Sequence, residues 1–211
     1  MITNTTTEIL AHDIHFNAES GNIEYILPQD ALVRLRIGVK NGGMLIDNLL
    51  DWEYRSAGRQ IEHWDHKDSS RTVDFSGHQD LMLALACLPV EEQQRQKYQG
   101  PIKGFRQSPK LNIVFPSATK TILGEIPVLE KIAPIRITIA PEDQQWLTET
   151  KYEIGMFLDG IFLLEDEEGN NPYTYQLNTA GLNPGQHYLT VNVVGYEGEV
   201  GTLSRYFTVK Q

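Results

Sequence analysis

His63 and His66 flank Trp64-Asp65, with Asp68 close behind, and imidazole and carboxylate side chains are metal-ligand types. On an extended strand, residues three apart point to opposite faces. One ion would need the turn to curl both rings inward, and neither a third ligand nor a supporting group is evident. A polar turn, with Asp65 accepting from nearby backbone amides, is the better expectation. His12 and His15 repeat the spacing near a chain end that reads as frayed. His187 is of the type that serves as a general base, but the sequence sets no Ser, Cys or carboxylate beside it. Asp166-Glu-Glu-Gly-Asn-Asn171 has the composition of a calcium loop without its Asp-x-Asp-x-Asp-Gly spacing or distal Glu, and reads as a solvated hairpin tip. Glu24, Glu53, Glu62, Asp159 and Glu165 could supply a carboxylate pair for glycoside hydrolysis. A chain with 28 acidic residues offers such pairs by chance. No catalytic residue, metal ligand or cofactor is therefore assigned.

The aromatic residues offer binding rather than bond-making. Trp52, Trp146 and Tyr152, with Tyr173 and Tyr175, are candidate contact aromatics, either for sugar stacking or, with more weight, for protein contact. Trp64 is expected in a core, on an inner strand.

The elements that position these residues read as strands. Residues 183–194 open with Asn-Pro-Gly, which is turn chemistry. His187, Leu189, Val191 and Val193 then alternate with Gln186, Tyr188, Thr190 and Asn192, which predicts a strand with one buried face. The stretch from Gly58 to Trp64 echoes it: a glycine turn, then Gln60 and Glu62 alternating with Ile61 and His63. The echo predicts two β units, each built around such a central strand. Ala31–Val39 alternates cleanly, with Ala31, Val33, Leu35, Ile37 and Val39 inward. Asn41-Gly-Gly43 is a hairpin signal leading to a partner strand over 44–52. Residues 79–88 predict a closing strand ended by Pro89. Asp159-Gly160 predicts another hairpin, and Pro141 to Trp146 one short helical turn with acids at its favourable end. No long amphipathic helix is expected, which disfavours a parallel α/β architecture.

With 211 residues, the chain has room for two domains of about 100 residues each. The polar run at 91–100 suggests the division: a flexible N-terminus at 1–12, a first domain at 13–89, a linker at 90–109 and a second domain at 110–211. The linker's length permits relative motion unless an interface forms. Net charge is −10, which argues against nucleic acid or an anionic membrane surface as a main partner. No apolar run is long enough for a transmembrane helix, so no membrane insertion is expected. Cys87, the single cysteine, excludes an intrachain disulfide and reads as a buried thiol. The first residues lack a secretory signal pattern, so the expectation is a cytoplasmic protein, or an extracytoplasmic one if a signal was removed ahead of Met1.

Two resemblances follow from particular motifs. Phe157-Leu-Asp-Gly160, Asn171-Pro-Tyr173, Leu177-Asn-Thr-Ala-Gly-Leu182 and Gly185-Gln-His-Tyr-Leu-Thr-Val191 resemble bacterial Ig-like (cadherin-like) surface domains, with Asn178 where that pattern often has Asp. Ile23-Glu-Tyr-Ile-Leu-Pro28, Val33-Arg-Leu-Arg-Ile37, Gly58-Arg-Gln-Ile-Glu-His-Trp-Asp65 and Asp68 resemble the Ig-like domain of the flagellar hook-capping protein family. There His66 and Arg71 replace glycines of the pattern, which predicts an altered turn after Trp64. The resemblances imply an all-β fold of two antiparallel Ig-like β-sandwich domains in tandem, and an envelope, surface or secreted setting. Such a sandwich makes His187 a structural corner residue that bonds backbone. The expected function is a non-enzymatic structural or adapter protein whose partners are proteins, through self-association or within a larger assembly. A carbohydrate-binding accessory module is the alternative.

Overall fold

The computed structural model describes residues 11–40, 43–90, 108–120 and 126–210. The chain is all-β, and its sheets are built almost wholly from antiparallel pairs. β1 (His12–Asn17) and β2 (Asn22–Leu27) open the first half. β3 (Ala31–Val39), β4 (Leu45–Arg55), β5 (Gly58–His63) and β6 (Leu81–Pro89) follow. They form two three-stranded sheets, ordered β1-β2-β5 and β4-β3-β6. The predicted inward set on β3 is buried, from Ala31 to Val39, and meets Ile23, Tyr25, Leu27, Ile46 and Leu50 in one core. Asn41 and Gly42 of the expected hairpin lie outside the described residues, as does 91–107 of the expected linker.

β5 departs from the expected echo. It is an edge strand, not a central one, and its phase is inverted: Ile61 is 61% exposed while Glu62 is half-buried. The reason is a local ion pair. Arg55 Nε donates to Glu62 Oε1 at 2.6 Å and the Tyr25 hydroxyl donates to the same oxygen at 3.3 Å, so the carboxylate is satisfied on the inner side. Trp64 is fully buried, yet it follows the end of this edge strand instead of lying on an inner one. Gly21 makes that seat possible. Its φ is +71°, and a Cβ there would lie 2.0 Å from the Trp64 carbonyl oxygen.

The second half contains β7 (Leu111–Val114), β8 (Thr119–Lys120), β9 (Pro127–Leu129), β10 (Ile132–Ile139), β11 (Tyr152–Leu158), β12 (Ile161–Asp166), β13 (Tyr173–Asn178), β14 (Gly185–Gly195) and β15 (Val200–Val209). Their sheets are ordered β13-β10-β7 and β12-β11-β14-β15-β9-β8. Ile135, Ile137 and Leu177 from the smaller sheet meet Ile154, Met156, Leu189, Val191, Val193 and Phe207 from the larger in a second core. The predicted short turn at Pro141 is a ten-residue helix, α1 (Pro141–Thr150). Pro141 starts it, Glu142 and Asp143 sit in the first turn, and buried Leu147 pins it to the core. The short strand β9 was not legible in sequence. It is held by parallel pairing with the end of β15.

β14 is central, between β11 and β15, as its alternation suggests. The middle of its second face is not solvated, however. Thr190 and Asn192 are 0% and 3% exposed, because the first half covers them. The relative motion that linker length alone would permit therefore meets a packed interface.

Gly21→Ala is expected to lower stability by at least about 2 kcal/mol, through the left-handed φ and the clash with Trp64. A lower urea midpoint with an unchanged slope is the readout.

Candidate functional site

The residues worth most attention form the seam between the halves. Along the covered face of β14 and β15 stand Thr190, Asn192, Thr202 and Ser204, all buried. Asn192 behaves as a strand partner for the backbone of β4. Its Oδ1 accepts from Leu45 N at 2.8 Å, and its Nδ2 donates to Leu45 O at 2.9 Å. The Thr202 hydroxyl donates to the same carbonyl at 2.7 Å. Asn48 Nδ2 donates to Val200 O at 2.7 Å. Arg34 and Arg36 each donate to Gly198 O, at 2.9 and 3.0 Å, which fixes the β14–β15 turn against β3. Burial pushes the Arg36 pKa down to about 10, with Arg34 beside it acting the same way. The Arg34 guanidinium also lies 4.6 Å from the centre of the Trp52 ring.

A second group of contacts radiates from Asp68, which is fully buried. Its Oδ1 accepts from Thr72 N and Val73 N, each at 2.8 Å. Its Oδ2 accepts from Ser70 N at 3.1 Å, from the Ser70 hydroxyl at 2.7 Å and, across the seam, from Ser204 N at 3.1 Å. One carboxylate thus shapes its own loop and holds β15. The turn around it keeps a glycine-like path despite the side chains there. His66 and Arg71 have φ of 62° and 58°, the left-handed region that glycine enters freely. His66 Nε2 donates to Ala18 O at 2.9 Å, and its ring tilts against Trp64. Arg71 bonds both Asp47 and Asp65 at 2.9 Å. Burial raises the Asp47 pKa even though Arg71 opposes the shift. Asp65 takes the expected local amide, from Lys67 at 3.1 Å.

His187 lies on the inner face of β14, with its ring stacked on Phe207. Its Nδ1 donates to Asp159 Oδ2 at 2.6 Å and its Nε2 donates to Asn183 O at 2.7 Å. Two acceptors require a proton on each nitrogen, so the geometry holds the ring as a cation with no lone pair free to accept a proton. Burial works to lower the pKa; the bonds to Asp159 and to the Asn183 carbonyl outweigh it, and the net shift is upward. Asp159 Oδ1 also accepts from Tyr188 N at 3.0 Å. The carboxylate partner that the sequence did not set beside His187 thus comes from the β11–β12 turn, where Asp159 and Gly160 both have positive φ. A signal was present: Asp159-Gly160 and Gly185-Gln-His187 are both pieces of the surface-domain pattern quoted above.

The remaining candidates do not converge. Trp52 is on β4 and Trp146 on α1, both half-buried, and Tyr152 is 4% exposed in the second core, so these three form no common platform. Tyr173 and Tyr175 pack partly against that core. Glu24 pairs with Arg59, Glu53 and Glu62 pair with Arg55, and Asp159 is taken by His187. Glu165 is exposed on β12, its pKa raised by partial burial and by the neighbouring carboxylate of Glu153. His63 meets Asn22 and His12 meets Asp13. Among the described residues, no group of three or more His, Cys, Asp or Glu side chains is arranged to hold a metal ion. Asp166 accepts from Asn170 N at 2.9 Å within its exposed tip. Cys87 is half-buried, and burial pushes its thiol pKa up.

Asp68→Ala is expected to cost about 3–5 kcal/mol, since it strands buried amides on both sides of the seam. Urea unfolding followed by fluorescence checks it. His187→Ala is expected to destabilise the second half by about 1–3 kcal/mol at pH 6. Because the folded-state pKa is raised, the ionic part of this cost is fully present below about pH 6.5 and fades as pH rises through the folded value. An equal cost at pH 6 and pH 9 would contradict the doubly donating ring.

No family model matches the sequence, and no curated protein does. Among solved structures, the chain is similar to the endo-beta-1,4-mannanase from Thermotoga petrophila at 13% identity and a TM-score of 0.36. The likeness covers 51% of this chain and 21% of the mannanase, so the chain spans about a fifth of that protein's length. A likeness at this level carries no argument about fold or function.

Proposed function

We propose that this is a non-enzymatic structural or adapter protein of two Ig-like sandwiches in tandem, acting by protein–protein contact in a bacterial envelope, surface or secreted assembly. One observation carries the reading. Large apolar side chains stand in water along edge strands: Ile161 at 73% and Phe162 at 55% on β12, Ile61 at 61% on β5, and Met82 at 39% on β6. Edge strands with exposed apolar side chains are natural contact surfaces for another chain. The left-handed turn at His66 and Arg71, and the meeting of Asp159 with His187, further support the two resemblances. The seam fixes one half against the other, as a spacer or adapter requires.

A carbohydrate-binding accessory module is the second reading. It draws on a cleft of about 370 Å³ at the seam, lined by Asn48, Asp51, Ser69, Ser70, Ser108 and Thr202 among others. The Ser108 hydroxyl oxygen is buried there without a hydrogen-bond partner. Polysaccharide pull-down and a glycan array separate the readings. The contact reading expects no glycan retention and no turnover of polysaccharide substrates. Retention that is lost on Trp52→Ala or Ser108→Ala would favour the carbohydrate reading, and turnover abolished by a single carboxylate or histidine substitution would overturn both.

A further inference from the structure

β6 is the outer strand of its sheet, and no described strand pairs with its far edge. It runs for nine residues, Leu-Met-Leu-Ala-Leu-Ala-Cys-Leu-Pro, in unbroken register with β3. Among the other outer strands, β7, β8 and β13 are shorter than β6, with four, two and six residues, and the rest carry features that discourage pairing. The register of β1 breaks between His12 and His15, and that of β4 shifts repeatedly. β5 presents the exposed Arg59, and β12 has a register break and ends in Glu165 and Asp166. β6 has no charge, no glycine, no bulge, and no proline before its last residue. Natural sheets rarely leave a long, flat, apolar edge without one of these protections.

The side chains of β6 are apolar on both faces. Leu83, Leu85 and Cys87 point to the first core but remain only partly buried. Met82 and Leu88 are 39% and 38% exposed on the opposite face, where Ala84 is exposed as well. The order of sizes is close to a palindrome about Leu85. Alanine flanks it on each side at 84 and 86, then Leu83 and Cys87, then Met82 and Leu88. Such an order suits a twofold antiparallel pairing, in which residue i faces residue j of the other copy while j faces i. Charge points the same way. A chain of net charge −10 repels its own copy over most of its surface, and β6 is a stretch where no like charges meet.

We propose that the protein self-associates through β6, with two copies pairing antiparallel about a twofold axis at Leu85. The proposal names the partner of the contact protein described above and rests on that reading. In this register Leu85 faces its counterpart, Ala84 faces the second copy's Ala86, Leu83 faces its Cys87, and Met82 faces its Leu88. The sheet β4-β3-β6 then continues across the axis, and the free edge and its exposed apolar row are covered together.

Sedimentation equilibrium of the full chain from about 1 to 100 μM should show a dimer. Ala84→Lys and Ala86→Lys, on the outward face, should each raise the dissociation constant by about tenfold or more with an unchanged circular dichroism spectrum. Leu83→Cys, facing Cys87 across the axis, should give a disulfide-linked dimer under mild oxidation; the two positions are too far apart along one strand to join within a chain. Three results would overturn the proposal: a monomer throughout the range, a dimer indifferent to both lysines, or a folded Leu83→Cys chain that dimerises without cross-linking. If Leu83→Cys does not fold, the lysine variants decide. A monomer leaves the contact reading standing, whereas glycan retention or turnover would remove that reading whatever the oligomeric state.

Discussion

The outer face of β14 and β15 carries Thr190, Asn192, Thr202 and Ser204, and all four are withdrawn from water. A buried hydroxyl or amide without a partner costs about 1–3 kcal/mol, so this face can only be buried against a surface that answers each group. The first half supplies that surface through the Leu45 backbone, while Thr190 and Ser204 satisfy each other at 2.8 Å. An apolar face would have bound at many angles. A face of small polar groups binds at the one position where its donors and acceptors are met, and the relative placement of the halves follows from that.

Two acids, Asp68 buried and Asp159 exposed, extend the same logic to the loops. Asp68 gathers the amides of its own turn and spends one more lone pair on Ser204 N, so the loop cannot relax without loosening β15. Asp159 gathers Tyr188 N and His187, and so ties the β11–β12 turn to the start of β14. Each acid converts an irregular segment into part of the sheet framework. The exposed surface is consequently left to the outer strands, where Ile161, Phe162, Met82 and Leu88 stand.

Much of the fold was legible because period-two alternation is a local signal. Ala31–Val39 and residues 185–195 declare their strands, and Asp159-Gly160 declares its hairpin. The inverted phase of β5 was not legible, because it depends on Arg55 and Tyr25 reaching Glu62 from other strands. The burial of Thr190 and Asn192 on the second face of β14 left a trace that alternation alone does not reveal: residues 185–195 contain no Lys, Arg, Asp or Glu, whereas a solvated strand face usually carries charge. The candidate contact residues divided similarly. Trp64 is in a core as its type suggests, while Tyr152, equally aromatic, belongs to the second core and not to a surface.

The sequence by itself determined the all-β class, most strand positions, and the inward direction of His187. These depend on alternation, turn residues and residue type, all of which act over a few neighbours. Tertiary structure alone decided that His187 meets Asp159, that Asp68 reaches Ser204, that Asn192 pairs with the Leu45 backbone, and which of the described strands lie outermost in their sheets. Those contacts join residues that are 28 to 147 positions apart. Nothing in a local pattern specifies which distant donor will meet a given acceptor, because that choice is made only when whole sheets are brought together and each buried polar group must find a partner.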